Sequence, residues 1–192
     1  MSVTTMERRE LKAVIAPRRI RRLAAEAAKH LSRLTDSVVE TIYYDTADLA
    51  LWRFAREHPD AGFRVRFRRY DGSGSGYFEL KARADGRARK LRLPMSAPPS
   101  GLEPSFRPVA MVRCRRTAFE SPDGLVRVTL DTDITWCAAD GRPVSEAAEA
   151  VVELKTADHE PAWLKKAVGG MRTDAFSKFV TCVETLVRAG RL

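Results

Sequence analysis

Apolar and charged residues alternate along most of the chain, which is the pattern of half-buried β-strands. In residues 62–70, phenylalanine and valine face one way, while Arg64, Arg66 and Arg68 face the other. Turn residues separate such segments, as in the Asp-Gly-Ser-Gly-Ser stretch at 71–75. Strands are predicted in this way near residues 5–15, 38–44, 62–70, 76–83, 87–93, 110–120, 125–135 and 149–156.

Helical periodicity is confined to the margins of this strand-rich region. Helices are predicted near residues 18–34, 49–53, 160–169 and 174–189, and a run of prolines in residues 94–108 indicates a loop or a short-helix insert. We therefore predict an α+β fold formed by residues 1–192 as a single domain. Its centre is expected to be a closed antiparallel eight-stranded β-barrel with flanking helices.

The tripeptide Glu-Leu-Lys occurs at residues 10–12, 79–81 and 153–155, each time within a predicted strand. Residues two apart in a strand share a face, so each copy places a carboxylate and an ammonium opposite a leucine. A solvated sheet face would show the same pattern. A shared interior is favoured because successive same-face arginines repel each other, and because the helices at 18–34 and 174–189 would cover the apolar outer faces. Such an interior requires water or a polyanion to offset its cations.

Charge and cysteine content narrow the class of protein. The 192 residues carry a formal net charge of +9, which favours a polyanionic partner, although a basic proteome would produce it too. Three cysteines without CxxC spacing indicate reduced thiols rather than a zinc site or disulfides. The chain shows no signal-peptide core and no apolar stretch of the about 20 residues that a membrane span needs. We expect a cytoplasmic protein without a membrane segment, so export of a product would require a membrane partner protein.

Several short motifs in a fixed order carry a family resemblance. They are Glu10-x-Lys12, Tyr43-Tyr44-Asp45-Thr46, Phe63-Arg64-Val65-Arg66 with Tyr70, Glu79-Leu80-Lys81 followed by Lys90, Cys114-Arg115-Arg116-Thr117-Ala118-Phe119, Arg127-Val128-Thr129-Leu130-Asp131, Glu153-Leu154-Lys155 and Ser177-Lys178-Phe179. In these motifs the chain resembles the polyphosphate-polymerase (VTC) branch of the triphosphate tunnel metalloenzymes, which is related to the CYTH domains. The likeness covers almost the whole chain.

The resemblance implies a tunnel that holds a nucleoside triphosphate or a polyphosphate chain, with a divalent metal ion, Mn or Mg. It implies that Glu153 is the principal metal ligand, assisted by Glu10. The catalytic and phosphate-binding residues that it implies are Lys12, Arg64, Arg66, Lys81, Lys90, Arg116, Arg127 and Lys178. Two positions depart from the family pattern, because Cys114 and Phe179 each stand where the family has a tyrosine. Either Arg115 or Arg116 could face the tunnel, since the alternation around them is irregular.

The function expected from the resemblance is transfer of the γ-phosphoryl group of a nucleoside triphosphate onto a polyphosphate chain. Phosphoryl transfer depends on positioning and charge neutralisation more than on a nucleophilic side chain. Triphosphate hydrolysis and non-catalytic polyphosphate binding remain alternatives. Nucleic-acid binding is less favoured, because Phe63, Phe67 and Phe78 fall on apolar faces rather than among the basic residues. We therefore expect no nucleic-acid partner.

Overall fold

A computed structural model describes residues 9–59, 61–84, 87–99, 102, 105–157, 161–168 and 176–192. The strands are β1 (Arg9–Ile15), β2 (Ser32–Asp45), β3 (Gly62–Tyr70), β4 (Gly76–Ala84), β5 (Arg87–Met95), β6 (Arg107–Glu120), β7 (Val126–Ala138), β8 (Pro143–Glu146) and β9 (Ala150–Thr156). The helices are α1 (Ile20–His30), α2 (Ala50–Glu57), α3 (Ala162–Val168) and α4 (Lys178–Arg188), and a 3₁₀ turn at Pro17–Arg19 precedes α1.

All nine strands belong to one antiparallel sheet, in the order β1-β9-β7-β6-β2-β3-β4-β5, with the short β8 paired to β7. The predicted α+β class and the eight-stranded antiparallel path are therefore confirmed. The barrel is not closed by backbone hydrogen bonds as predicted, because no ladder joins β1 to β5 within the described residues. A side-chain ion pair between Lys81 and Glu10 bridges β4 and β1 instead.

The face of the sheet that carries the alternating apolar residues packs against α1 and α3. Leu23 and Ala27 of α1 are buried in one cluster with Leu130 of β7 and Leu154 of β9, and Leu164 of α3 completes it. This is the outer layer that the amphipathic pattern of residues 18–34 predicts. Farther along the same face, Met95, Leu102 and Phe106 lie against a cluster that contains Phe67, so the proline-rich segment covers β3.

The C-terminal helix lies on the opposite face, which corrects the prediction that it would cover an outer apolar face. Phe179 of α4 packs against Tyr43 with ring centroids 5.1 Å apart, and Tyr43 is the register partner of Arg66. Cys182, Val183 and Leu186 are buried in the same cluster. An amphipathic stripe requires an apolar partner surface but does not specify which face of a sheet provides it.

Several predicted boundaries also change. The first helix ends at His30 rather than near residue 34, because residues 32–36 pair with β6 as the start of β2. The strand β8 was not predicted. Pro94 lies within β5, although that strand was predicted to end before it. Residues 5–8, 160, 169 and 174–175, which the pattern assigned to strands or helices, lie outside the described residues. None of the described helices has the length and apolar character of a membrane span.

The Tyr43-Tyr44-Asp45-Thr46 motif has a structural role at the junction of β2 and α2. The buried Asp45 carboxylate accepts hydrogen bonds from the backbone N–H groups of Thr46 (2.7 Å), Leu51 (2.9 Å) and Trp52 (2.9 Å). Donors at a helix start lack partners within the helix, so an aspartate there fixes the position of the helix. Asp45 thus holds α2 at one end of the sheet.

Candidate functional site

Charged side chains from seven strands and from α4 share the face of the sheet opposite α1. Register and strand alternation place them on this inner face, where the cations outnumber the carboxylates. The carboxylates are Glu10, Glu79, Asp131 and Glu153, and the cations are Lys12, Arg64, Arg66, Arg68, Lys81, Arg83, Lys90, Arg92, Arg116, Arg127, Lys155 and Lys178.

Asp131 of β7 is the centre of one group of ion pairs. It is 1% exposed and accepts two hydrogen bonds from Arg116, at 2.6 and 2.7 Å, and one from Lys178. Burial alone would raise the pKa of the Asp131 carboxyl, but Lys178 and Arg116 together hold it well below its usual range. Lys178 is the first residue of α4, so this ion pair fixes the start of the helix against the sheet.

The same group settles which arginine of the Cys114–Phe119 motif points inward. The β6–β7 register shifts between Arg113 and Arg115, where β7 carries one extra residue, but β6 itself pairs with β2 in unbroken register through this stretch. Alternation along β6 therefore places Arg116 on the inner face with Cys114, where it pairs with Asp131, while Arg115 is exposed. The alternative that the sequence left open is therefore resolved in favour of Arg116.

Glu79 of β4 is the centre of a second group. The residue is fully buried, and its carboxylate lies 2.6 Å from Arg66 Nε, 2.5 Å from Lys90 Nζ and 3.3 Å from Arg92 Nε. Burial would raise the pKa of Glu79, but Arg66, Arg68 and Lys90 lower it further than burial raises it. Partial desolvation lowers the pKa of Lys90 to about 8, and the nearby Arg66 and Arg68 act in the same direction, while Glu79 opposes them.

The first strand meets the fourth strand at Glu10. Its carboxylate lies 2.6 Å from Lys12 Nζ and 3.3 Å from Lys81 Nζ. Burial lowers the pKa of Lys81 to about 8, against an ordinary value of 10.5, and the nearby Lys12 contributes in the same direction. Glu10 and Lys12, both predicted from the sequence, thus lie together with Lys81 in one ionic cluster.

Glu153 of β9 lies on the inner face beside this cluster and forms an ion pair with Lys155 at 2.8 Å. Burial would raise the pKa of Glu153, but Lys155, Lys12 and Arg116 hold it well below its ordinary value. Glu153 is also near enough to Glu10 to raise the pKa of that carboxyl. The described residues contain no group of three or more His, Cys, Asp or Glu side chains that could hold a metal ion by themselves. Two neighbouring carboxylates do fit Mg²⁺ or Mn²⁺, which complete their shells with phosphate oxygens and water.

Two arginines of β3 form no close ion pair with a carboxylate among the described residues, although Glu10 is near enough to Arg64, and Glu79 to Arg68, to favour the charged guanidinium. Arg64 has a buried Nε without a hydrogen-bond acceptor, and Arg68 donates only to Thr41 Oγ1, at 3.1 Å. Burial lowers the pKa of both guanidinium groups, and the neighbouring Arg66 adds to the effect. Arg68 was not among the predicted site residues, although the alternation of residues 62–70 had already placed it beside Arg64 and Arg66.

The remaining predicted position, Arg127, lies at the margin of the inner face. It pairs with Glu120 at 3.3 Å and joins neither the Asp131 group nor the Glu79 group. Asp131 and Arg92 are site residues that the sequence-based set lacked. Their signal was present, because Asp131 follows Arg127 and Thr129 at strand spacing and Arg92 follows Lys90 in the same way.

Two cavities lie at opposite ends of the row formed by Arg64, Arg66 and Arg68. The cavity at the Arg64 end measures about 440 Å³, and its walls include Arg56 of α2, Thr181 of α4, Ser177 just before α4, and Glu149. The cavity at the other end measures about 520 Å³ and lies beside Tyr70 and Tyr77. The arginine row therefore connects two open spaces.

The two departures from the family pattern are both buried. Cys114 lies between the inner-face charges and α4, and burial raises the pKa of its thiol to about 11. Phe179 fills the space beside Tyr43. The hydroxyl groups that tyrosines would bring to these two places are replaced by apolar packing.

Comparison with known protein families gives one match over nearly the whole chain. The model of the VTC domain matches residues 7–98 and 102–187. No curated protein sequence matches at a significant level.

Solved structures with the same fold are distant in sequence. The Hippeastrum protein HpAC1, which has a dominant triphosphatase activity, is 16% identical with a TM-score of 0.62, and the match covers 97% of both chains. PH1819 from Pyrococcus horikoshii OT3 is 15% identical with a TM-score of 0.57, over 94% of this chain and 99% of that one. PH1012 from the same organism is 13% identical with a TM-score of 0.56, over 87% and 95% of the chains. These likenesses show the tunnel fold.

Proposed function

Since the chain belongs to the VTC domain family, we propose that it is a metal-dependent phosphotransferase that extends polyphosphate. The γ-phosphoryl group of a nucleoside triphosphate would pass to the terminal phosphate of a polyphosphate chain on the inner face of the sheet. Family and fold together support an enzyme of the triphosphate tunnel class, and the choice of acceptor is the part that we propose from the inner-face charges.

The observation that carries the proposal is the excess of buried positive charge on the inner face. Arg64 and Arg68 lie there without a close ion pair to a carboxylate among the described residues, and burial disfavours their charged forms more than the nearby Glu10 and Glu79 favour them. Unpaired buried charge is costly, so a surface of this kind is at its most favourable when a polyanion covers it. A chain of phosphates matches both the sign and the linear arrangement of the arginine row.

The residues on this face suit a transfer that relies on electrostatics. An oxygen of the terminal acceptor phosphate attacks the γ-phosphorus, while the bond from that phosphorus to the β–γ bridging oxygen breaks. The nucleoside diphosphate leaves with the electron pair, and no proton has to be moved. Charge on the equatorial oxygens is stabilised by fixed cations, among which Arg66 and Arg116 are already held in place by Glu79 and Asp131.

A divalent metal ion would be held by Glu153 and assisted by Glu10, and when bound it would neutralise charge on the phosphate oxygens. Lys155, Lys12 and Arg116 keep Glu153 ionised by lowering its pKa. An ionised carboxylate is the form that can bind a metal ion at neutral pH.

Transfer to phosphate fits the carboxylates of the inner face better than hydrolysis does. Water must lose a proton to attack, so hydrolysis benefits from a carboxylate of raised pKa, whereas a phosphate acceptor is already ionised. The pKa values of Glu10, Glu79, Asp131 and Glu153 are all lowered. Each of these groups is therefore a weak base.

Triphosphate hydrolysis is the second candidate, and the shared fold with HpAC1 favours it. The two reactions differ in the fate of the γ-phosphoryl group, which becomes free phosphate in one and a polymer unit in the other. A binding module without catalysis would leave the triphosphate intact. Product identity therefore separates all three.

We assign the acceptor chain to the cavity at the Arg64 end of the row. The polar residues of its lining are Arg64, Arg56 of α2, Ser177 and Thr181, with Glu149 as the one carboxylate among the described residues. Cations and hydroxyl groups both bind phosphate oxygens. An acceptor that approaches from this end would meet the γ-phosphate of a nucleotide that lies along Arg66 and Arg68.

The proposal is tested by incubating the protein with ATP, Mn²⁺ and short-chain polyphosphate, and by separating polymer from free phosphate. Wild-type protein should lengthen the polymer, and Glu153→Gln should abolish lengthening because a neutral amide is a poor ligand for Mn²⁺. Glu146→Gln, an exposed carboxylate of β8, is the matched control and should retain activity. Normal turnover by Glu153→Gln would refute the assigned metal ligand.

A further inference from the structure

The cavity beside Tyr70 has a composition that differs from the rest of the inner face. It measures about 520 Å³ and lies between the turn that joins β3 to β4 and the end of β5. Its walls include Tyr70, Tyr77 and Pro94, and Tyr77 is the register partner of both Arg68 and Pro94. An aromatic cavity therefore adjoins the last arginine of the row.

The aromatic wall is held by a residue of the Glu79 group. The rings of Tyr70 and Tyr77 meet edge to face, with centroids 6.5 Å apart. The guanidinium carbon of Arg92 lies 3.6 Å from the centroid of the Tyr77 ring, and Arg92 Nη2 donates to the Tyr70 hydroxyl at 3.2 Å. Because Arg92 Nε also lies 3.3 Å from Glu79, the tyrosines and the phosphate-facing cations form one connected set.

Other parts of the cavity wall are polar. Ser73, Ser75 and Ser96 line it, and the hydroxyl groups of Ser73 and Ser75 lie 2.9 Å apart. Gly76 allows the turn to approach β3, because a Cβ atom at this position would overlap the carbonyl oxygen of Arg68. The cavity thus combines aromatic faces with hydroxyl groups at the end of a cationic row.

We propose that this cavity binds the nucleoside part of the nucleoside triphosphate, with Tyr77 and Tyr70 as its aromatic platform. A base offers a flat π-face to the tyrosines, and the sugar and base edges offer hydrogen-bonding groups to the serines. The volume lies within the range of small-molecule sites, about 300–1,000 Å³. The α-phosphate would then lie near Arg68, and the γ-phosphate would point toward the Arg64 end.

This inference rests on the proposed function in one respect, which is that the triphosphate lies on the inner face. It adds a distinction between ligands, because inorganic tripolyphosphate has the phosphates but no group for the aromatic cavity. Wild-type protein should therefore bind ATP more tightly than tripolyphosphate. The difference between the two affinities measures the contribution of the cavity, whereas the affinity for tripolyphosphate measures the contribution of the arginine row.

The test is calorimetric titration of ATP and of tripolyphosphate into wild-type protein and three variants. Tyr77→Leu should weaken ATP binding about tenfold, the scale of one base–aromatic stack, and tripolyphosphate binding less than about twofold. Tyr77→Phe keeps the ring and should retain the ATP affinity. Arg66→Gln should weaken both ligands by the same factor, because Arg66 lies on the part of the phosphate row that both ligands occupy.

Each outcome of these titrations either supports or overturns the nucleoside site. Selective loss of ATP affinity in Tyr77→Leu, with recovery in Tyr77→Phe, supports the nucleoside site even if the protein transfers no phosphate, in which case only the proposed reaction fails. Equal weakening of both ligands, or unchanged ATP binding by Tyr77→Leu, overturns the nucleoside site. Equal affinity of the wild type for ATP and tripolyphosphate also overturns it.

Discussion

Lys81 Nζ lies 3.3 Å from Glu10 Oε2, and this ion pair joins the fourth strand to the first where no backbone ladder among the described residues does. The two residues are 71 positions apart in the chain. Their contact shows that the two edges of the sheet approach each other across the inner face. The charged surface is therefore concave, and side chains of strands at its two ends can contact one ligand.

Phosphate affinity should fall as the pH rises through about 8. The pKa values of Lys81 and Lys90 are both lowered to about 8, so each ammonium loses its proton near that pH. Loss of one charge-assisted contact should weaken tripolyphosphate binding on the order of tenfold. Titration of the ligand at pH 7 and at pH 9 measures the effect.

The double variant Lys81→Arg/Lys90→Arg is the control for this pH dependence. A guanidinium group stays protonated across this range, so the affinity of the variant should change little between pH 7 and pH 9. A wild-type affinity that is the same at both pH values would contradict the assigned role of these lysines.

The stability of the ligand-free protein should change with pH in the opposite direction. The folded-state pKa of Lys81 is about 8, below the ordinary 10.5, so the unfolded chain binds more protons between these values. The free energy of unfolding should therefore rise as the pH increases from about 8 toward about 10, relative to Lys81→Met, which lacks the titrating group. Denaturant titrations of both proteins at several pH values measure this difference, and identical pH profiles would count against the buried ammonium.

Removing the Asp131 charge should destabilise the fold. Asp131→Asn leaves Arg116 and Lys178 buried without their anionic partner, which should cost about 3–5 kcal/mol of the free energy of unfolding. The exposed Asp133 is a matched control, because asparagine tolerates its left-handed backbone (φ 50°) and the effect of Asp133→Asn should stay within about 0.5 kcal/mol. Equal stability of the two variants would contradict the central place of Asp131.

Arg68 should show a trade-off between stability and ligand binding. Burial disfavours its charged form more than the nearby Glu79 favours it, and it forms no close ion pair with a carboxylate among the described residues, so Arg68→Met should raise the free energy of unfolding by about 1 kcal/mol. The same variant should bind tripolyphosphate more weakly. Denaturant titration and calorimetry on one preparation test both parts, and a loss of stability would show that Arg68 serves the fold.

The strand pattern predicted the composition of the inner face better than it predicted how that face is enclosed. Alternation alone placed Arg64, Arg66 and Lys81 on one face, because a side-chain period of two is a property of the backbone. It left Arg115 and Arg116 open, since charged residues occupy both faces of β6, and only the strand register shows that Arg116 shares the inner face with Cys114. The resemblance to a family supplied Lys178, for which periodicity in a helix gives no signal of a contact with Asp131.

The local sequence pattern could not predict the position of α4 or the end of α1, because both depend on tertiary contacts. Leu31 and Leu34 keep helical spacing, yet residues 32–36 pair with β6, and the tertiary pairing overrides the local periodicity. Phe179 and Val183 lie on the apolar side of α4, but only the assembled sheet offers the surface beside Tyr43 that receives them.

If the inner face transfers a γ-phosphoryl group to polyphosphate, the fate of that group shows it. ATP with a radioactive γ-phosphate is incubated with the protein and Mn²⁺, and the products are separated by chain length. We predict that the label enters long-chain polyphosphate and that Arg66→Gln prevents this. Release of the label as free phosphate without any labelled polymer would contradict the account.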